Sequence, residues 1–292
     1  MKPIDLERKR DLGRILDDTF AIYRAHWRTL MVVAIVVAVP VYVAIYGIGL
    51  GWLWSDYDSS TVSAEDFDIG DLTESLGGTL AQLLVVTPLV TAMTVHVVRA
   101  AARGERMSAG TAIGAGLKDF APLFLALLLV GGGIALGLLA LIVPGLILAI
   151  RWVLVSQVVV IEGGRGTAAL SRSFELTRGF GFFTFLVVLV VNLLVGVFTA
   201  LLLVPLELAA ESADTMALSL LGQVLGTVIS LPIVAVAYTL LYYSLLAQKG
   251  EGRPAEAAPE PGPFPAPQPQ SIEGVPGTFG DGWAPPAPPS RD

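Results

Sequence analysis

The sequence contains no cysteine and only two histidines, His26 and His96. Without cysteine the chain can form no disulfide, ligate no iron–sulfur cluster and use no thiol nucleophile. Two histidines far apart in the sequence are a poor basis for a dedicated zinc site. These absences argue against disulfide-stapled secreted domains, thiol enzymes and structural zinc proteins.

Charge is also scarce. Charged residues make up 15% of the chain and hydrophobic residues 54%, whereas about a quarter of the residues in a soluble domain are charged. Six long apolar stretches hold 139 residues and a single Lys, Arg, Asp or Glu, Arg151. The composition predicts an all-α membrane protein. It excludes an ordinary soluble enzyme or a nucleic-acid-binding protein, and no cofactor is expected.

The apolar stretches predict six transmembrane helices, because each can cross about 30 Å of hydrocarbon. They are residues 30–54, 80–98, 121–143, 145–161, 181–204 and 216–246. The fourth is the shortest and follows the third after Pro144 alone. As one helix, residues 121–161 would measure roughly 61 Å, enough for about two crossings. We therefore expect a sharp turn at Pro144–Gly145 and an even number of spans.

Basic residues are concentrated on alternate sides of these spans. Residues 1–28 hold seven Lys or Arg, residues 99–119 hold four, residues 162–180 three and the segment after 247 three. Segments 55–79 and 206–215 hold ten carboxylates and no basic residue. Because positively charged flanks stay cytoplasmic, we predict a plasma-membrane protein with both termini in the cytoplasm.

Amphipathic segments precede two of the spans. In residues 1–29, Leu12, Leu16, Phe20, Tyr23 and Trp27 recur at helical spacing, which predicts a cytoplasmic helix lying at the membrane interface. A similar segment precedes span 5, and a weaker one precedes span 3. The order of interfacial helix, span, turn and returning span predicts three helical hairpins forming a threefold repeat. The alternative is that short cytoplasmic loops alone produce this rhythm.

The tail at 248–292 holds 12 of the 19 prolines and few large aliphatic residues. It cannot bury a core, so disorder is expected after the six-span domain at 30–247. Its alternating prolines favour a polyproline II conformation. Two interpretations remain, an inert solvated tail and a ligand for a partner domain.

Arg151 is the most informative single residue. A guanidinium at the centre of a span costs about 2.5 to 3.5 kcal/mol on the insertion scale. One interpretation is that Arg151 extends toward the outer headgroups. The other is a polar cleft, since threonine, serine and glutamine recur at i, i+4, i+7 along spans 2 and 6. The candidate cleft residues are Arg151, Thr87, Thr91, Thr94, Gln223, Thr227, Ser230 and Glu207. The same small polar residues could instead hold helices together.

Three further features carry weaker hypotheses. Gly163, Gly164, Arg165 and Arg172 surround a helix start and form a candidate lipid-phosphate contact, with a plain turn as the alternative. His96 near the end of span 2 is either a packing residue or a proton relay. Paired glycines at four-residue spacing suggest close helix contacts, within the chain, with a protein partner or in a homo-oligomer. These pairs are Gly47/Gly51, Gly133/Gly137 and Gly222/Gly226.

Three segments carry a family resemblance. They are residues 12–20 (LGRILDDTF), Pro144–Gly145 followed by Arg151, and residues 161–179, which include RSFELTRG. Together they resemble the bacterial six-helix family named glycerophosphoryl diester phosphodiesterase membrane domain, over about residues 11 to 245. Phe174 stands where that family commonly has Trp, and Tyr242–Leu245 lacks the charged residues that usually follow the tyrosines. The resemblance implies a membrane module without the soluble phosphodiesterase barrel.

No paired catalytic carboxylates, Ser/His/Asp set or metal spacing occurs in the sequence. The resulting hypothesis is a non-enzymatic accessory or scaffold protein that contacts membrane lipids or partner proteins. The alternative is a small transporter or lipid-handling permease that uses the polar cleft around Arg151.

Overall fold

A computed structural model describes residues 6, 8–46, 79–80, 82–213 and 216–251. The chain divides into two units, Met1–Ala257 and Ala258–Asp292, and all described residues belong to the first. The end of predicted span 1, the acidic segment after it, Gly47 and Gly51, and most of the proline-rich tail lie outside the described residues.

The described part of the chain is all-helical and contains no strand. We number the helices in chain order, with a short π-helical segment at Gln82–Val86 leading into the second helix. They are α1 Leu12–Tyr46, α2 Thr87–Ala102, α3 Ala109–Ala140, α4 Ile142–Arg151, α5 Val155–Glu162, α6 Thr167–Thr177, α7 Gly181–Ala213 and α8 Met216–Lys249.

The protein is an all-α, multi-pass membrane protein with six helical segments long and apolar enough to span a membrane, as predicted. Five are formed by α1, α2 together with the π-helical segment before it, α3, α7 and α8. The remaining one, Ile142–Glu162, combines α4 and α5 across a break at 152–154. It includes Arg151, which ends α4.

The predicted turn at Pro144–Gly145 is wrong by a few residues. Helix α3 ends at Ala140, and Leu141 has an extended backbone (φ −167°, ψ 147°). Pro144 is the third residue of α4, where a missing N–H costs nothing because the first N–H groups of a helix have no partner within it. Gly145 lies against α3, because a Cβ atom added at Gly137 of α3 would come within 3.0 Å of the Gly145 Cα. The two glycines serve close helix contact.

Two of the predicted interfacial segments are not separate helices. The segment before span 1 continues into it as α1, with a kink at His26 (φ −118°, ψ 15°). The segment before span 3 is the first part of α3. Only α6 is separate from the span that follows, because Gly179 adopts a left-handed backbone (φ 87°) between α6 and α7. The position of these segments in a membrane interface and the threefold repeat stay predictions.

The acidic segment at 206–215, between predicted spans 5 and 6, is helical as far as Ala213, since α7 continues past Pro205. Leucine, glutamate and alanine dominate residues 206–213, and these are strong helix formers. Proline in a helix interior removes one hydrogen bond without ending this helix.

The apolar face of the first part of α1 also differs from the prediction. Ile15, Thr19, Ile22 and His26 are buried against the bundle. Leu12, Leu16 and Tyr23 are half-buried beside them, whereas Phe20 and Trp27 are exposed. The aromatic residues therefore lie at the edge of the packed face, next to the basic side.

Helices α2 and α8 form the centre of the bundle. Helix α2 contacts α1, α3 and α8, and α8 also contacts α1 and α7. Helix α4 lies against α3. The core contains many small or branched residues, such as Ala92, Val95, Val236 and Ala237. Small residues allow helices to approach closely where lipid provides no hydrophobic drive for their association.

Candidate functional site

Arg151 makes its described contacts with α6. Its Nη1 donates a hydrogen bond of 2.7 Å to the carbonyl oxygen of Thr177. The guanidinium carbon lies 5.1 Å from the centre of the Phe174 ring, within the range of a cation–π interaction. The guanidinium also lies next to Gly181, the first residue of α7. Arg151 thus contacts the junction between α6 and α7.

The backbone of Arg151 is held by the same helix. Ser173 Oγ donates to the Arg151 carbonyl oxygen at 2.8 Å, and Thr177 Oγ1 lies 3.4 Å from the same oxygen. The carbonyl is available because α4 ends at Arg151, and the last carbonyls of a helix lack partners within it. The break between α4 and α5 therefore provides the acceptor that fastens α4 to α6.

The cleft residues predicted on α2 and α8 do not appear among the described hydrogen-bond partners of Arg151. Thr91 and Thr94 are buried and Thr87 is half-buried on α2. Thr227 on α8 is buried and its Oγ1 lies 3.0 Å from the Tyr42 hydroxyl of α1. This contact is of the kind in which small polar residues hold helices together.

The remaining cleft candidates are more dispersed. Gln223 is exposed on α8 and Ser230 is half-buried there. Glu207 belongs to α7, and its side chain is outside the described part of the structure.

Six buried side-chain polar atoms have no hydrogen-bond partner among the described residues, on Tyr23, His26, Thr94, Gln157, Thr184 and Thr199. Two of them, Thr94 Oγ1 on α2 and Gln157 Oε1 on α5, lie on helices that contact each other. Gln157 was not among the sequence candidates, because one glutamine in a valine-rich stretch shows no periodic pattern. A buried amide oxygen without a partner costs about 1 to 3 kcal/mol, so these atoms could accommodate a water molecule or a polar ligand.

A network of four side chains connects α5, α6, α8 and the residues after α8. We call it the carboxylate–arginine network: Glu162, Arg172, Tyr242 and Glu251. Arg172 Nε donates to both Glu162 oxygens at 3.1 and 3.0 Å, and its Nη2 donates to Glu251. The Tyr242 hydroxyl donates to Glu162 Oε1 at 2.5 Å. The sequence analysis did not identify this network, because its members are far apart in the chain.

The network holds Arg172 firmly in its charged form. Its hydrogen bonds to Glu251 and then to Glu162 raise the pKa of Arg172 above its ordinary value, against the lowering effect of burial. Arg172 is therefore already paired with two carboxylates of the same chain.

This pairing bears on the candidate lipid-phosphate contact. Gly163 ends α5 in a left-handed conformation (φ 70°), and its N–H donates to the Val159 carbonyl. Gly164 packs close to Val158, and Arg165 is exposed. Of the four candidates, Gly163 and Gly164 lie in a tight turn, and the side chain of Arg165 is exposed.

The segment before α1 is attached to the end of α8. The Arg10 N–H donates to Ser244 Oγ at 3.0 Å, and Ser244 Oγ donates to the Arg10 carbonyl at 3.1 Å. The buried Arg10 side chain forms an ion pair with Asp18 at 2.8 Å. We call the end of the bundle that holds Arg10, Ser244 and the carboxylate–arginine network the basic end.

His96 and Asp119 join α2 to α3. His96 Nε2 lies 2.7 Å from Asp119 Oδ2, so His96 is hydrogen-bonded as well as packed. In the described ranges, no three His, Asp and Glu side chains group together as metal ligands.

The glycine pairs within the described residues contact helices of the same chain. Gly133 and Gly137 face Trp152 and α4, while Gly222 and Gly226 face Leu206 and Leu203 of α7. A Cβ at Gly226 would lie 2.9 Å from Leu203 Cδ1. These faces are occupied inside the bundle.

Comparison with protein-family models, curated proteins and solved structures found no match.

Proposed function

We propose that this chain is a non-enzymatic accessory or scaffold protein of the plasma membrane, with both termini in the cytoplasm. It contacts lipids or partner proteins through the first part of α1 and through α6. We also propose that it belongs to the glycerophosphoryl diester phosphodiesterase membrane-domain family as a membrane module only.

The observation that carries this proposal is the environment of Arg151. A transport pathway would use this charge to bind a solute, but its guanidinium donates to the Thr177 carbonyl and lies over Phe174. A hydrogen bond from a charged donor is worth about 1.5 to 3 kcal/mol, so these contacts offset much of the cost of placing Arg151 near hydrocarbon. In this proposal, Arg151 holds α4 against α6.

The contacts at the basic end support the topology. Arg172 of the basic segment 162–180 pairs with Glu251 of the segment after 247, and Arg10 of the basic segment 1–28 contacts Ser244 near the end of α8. Since basic flanks are retained in the cytoplasm, this end is the cytoplasmic one in our proposal.

The alternative is a small transporter or lipid-handling permease. One observation favours it, namely that Thr94 Oγ1 and Gln157 Oε1 are buried without a partner among the described residues. A water-filled path through the bundle would reach these two atoms, whereas a sealed bundle would not.

The absence of cysteine allows a direct test of this difference. Thr94→Cys and Gln157→Cys each introduce a single thiol, which a membrane-impermeant maleimide labels in proteoliposomes only if water reaches it. A scaffold predicts no labelling until the protein is denatured. Ser171→Cys, on the exposed side of α6, is the matched control and is expected to react at once in permeabilised vesicles.

Rapid labelling at both Thr94→Cys and Gln157→Cys in the folded protein would overturn the scaffold proposal in favour of transport. If neither site reacts, copurification from native membranes with protein and lipid identification tests the accessory role. A partner or lipid retained by the native chain and lost from a chain with Phe20→Ser and Trp27→Ser supports it.

A further inference from the structure

The first part of α1 exposes aromatic and basic side chains on one side. Phe20 is 44% exposed and Trp27 is 50% exposed, and Arg24 and Arg28 are exposed between and beside them. Phe20 and Arg24 share a helix face, because they are four residues apart, and the exposed Trp27 and Arg28 follow directly after the kink at His26. We call Phe20, Arg24, Trp27 and Arg28 the aromatic–basic face.

This face lies directly before a purely aliphatic one. Farther along α1 the exposed large side chains are Val32, Ile35, Val36, Val39 and Val43. An exposed aliphatic stripe is suited to acyl chains, and tryptophan and arginine concentrate where acyl chains meet headgroups. At 1.5 Å per residue, Phe20 to Arg28 spans at most about 12 Å, which exceeds the roughly 5 to 7.5 Å headgroup layer of one leaflet and so reaches from the headgroups to the upper acyl carbons.

Arg24 and Arg28 differ from Arg10 and Arg172. Arg10 is paired with Asp18, and Arg172 with Glu162 and Glu251. For Arg28 the described contact is with the ring of Trp27, at 5.5 Å from its centre. Within the described residues, no carboxylate is paired with Arg24 or Arg28. Two exposed cations beside two exposed aromatic rings therefore remain available to a ligand.

We propose that the aromatic–basic face binds the headgroups of anionic phospholipids. Guanidinium groups form paired hydrogen bonds with phosphate oxygens, while Phe20 and Trp27 insert among the upper acyl carbons. Charge provides the selectivity, because a zwitterionic headgroup carries a phosphate but no net negative charge. This inference rests on the proposed function, since it needs α1 to lie at a membrane.

Trp27 provides the probe for the test. The other four tryptophans, Trp52, Trp54, Trp152 and Trp283, are replaced by phenylalanine, and the chain is reconstituted in phosphatidylcholine vesicles. A fixed low fraction of the lipid is brominated near the headgroup end of the acyl chains, either as phosphatidylglycerol or as phosphatidylcholine. Bromine quenches nearby tryptophan fluorescence. If the four replacements prevent folding, subtraction of the Trp27→Phe spectrum from that of the native chain isolates the same signal.

We expect brominated phosphatidylglycerol to quench Trp27 more strongly than brominated phosphatidylcholine. Each arginine near an anionic surface can enrich the anionic lipid by up to about fivefold. The Arg24→Gln/Arg28→Gln chain should lose this difference. Arg14→Gln is the matched control, because Arg14 is exposed on the same helix but distant from the aromatic residues, and it should keep the difference.

The outcomes separate this inference from the proposed function. Equal quenching by the two brominated lipids overturns anionic selectivity but leaves α1 at the membrane. A difference that persists in Arg24→Gln/Arg28→Gln also overturns the inference, because other residues would then select the lipid. No quenching by either lipid would mean that the first part of α1 does not contact the membrane, which contradicts the proposed function itself.

Discussion

Helices α2 and α8 differ from α3 and α7 in an instructive way. Within the most apolar part of each helix, 67% of the residues are buried in α2 and 56% in α8, against 11% in α3 and 22% in α7. The two least buried helices have the higher mean hydropathy. In a soluble protein the relation would be reversed, because the most apolar elements form the core.

The reason is the solvent. Lipid is as apolar as leucine, so the helices that face it need apolar surfaces all around, whereas the central helices can carry polar groups that find partners. Buried threonines on α8 show this, as Thr227 contacts Tyr42 and Thr239 donates to the Ala235 carbonyl. Hydropathy in this protein therefore identifies helices facing the lipid, and burial identifies those that organise the bundle.

The largest effect is expected from glycine substitutions that compare the two environments. Gly116→Leu would place a side chain against α2, since a Cβ at Gly116 comes within 3.1 Å of the Met93 backbone nitrogen. We expect a loss of about 3 kcal/mol from overpacking, measured as a lower unfolding temperature in detergent. Gly196→Leu on α7 meets open space and should change stability by less than about 1 kcal/mol. Equal losses of stability in Gly116→Leu and Gly196→Leu would contradict the difference between the two environments.

The next effect concerns the attachment of a peripheral helix. Arg151→Leu removes the hydrogen bond to Thr177 and the contact with Phe174, which should cost about 2 kcal/mol. Faster hydrogen exchange of the α6 amides measures it. Arg151→Lys should be intermediate, because lysine keeps the charge but not the planar stacking. Arg178→Leu, at an exposed position, is the control. Unchanged hydrogen exchange in Arg151→Leu would contradict the proposal that Arg151 holds α4 against α6.

A smaller effect tests how the central helix α8 is connected at the basic end. A double-mutant cycle of Tyr242→Phe and Glu162→Gln should give a coupling free energy of about 1.5 kcal/mol, since the tyrosine donates to this carboxylate. The cycle of Tyr242→Phe with Glu175→Gln should give a coupling free energy close to zero. The Glu175 side chain is 69% exposed, and its described ion pair is with Arg172, at 3.8 Å. Similar coupling in both cycles would argue against a specific contact between Tyr242 and Glu162.

The smallest effect is expected at the start of α3. Ser108 Oγ accepts a hydrogen bond from the Thr111 N–H, so it caps the helix. Ser108→Ala should cost about 1 kcal/mol in unfolding free energy. Ser171→Ala, at an exposed position within α6, should change it by less than about 0.5 kcal/mol. A cap that proves neutral would mean that lipid and packing alone determine where the peripheral helix begins.

Local features could be predicted where a local property decides them. The six spans followed from apolar length, and the start of α7 at Gly181 was predicted correctly. The turn before α4 was misplaced, because proline near the start of a helix and proline in a turn look alike in sequence. The packed face of α1 was misassigned because Ile15 and Ile22 compete with the aromatic residues for burial, and only the neighbouring helices choose between them.

The sequence by itself determined that this is an all-α membrane protein with six spanning helices, since insertion into a membrane depends on about 20 consecutive residues at a time. The tertiary structure decided the partners of its polar groups. Arg151 meets Thr177 across 26 positions and Tyr242 meets Glu162 across 80. Such pairs depend on how breaks, kinks and close contacts orient whole helices, and no local pattern in the chain encodes that orientation.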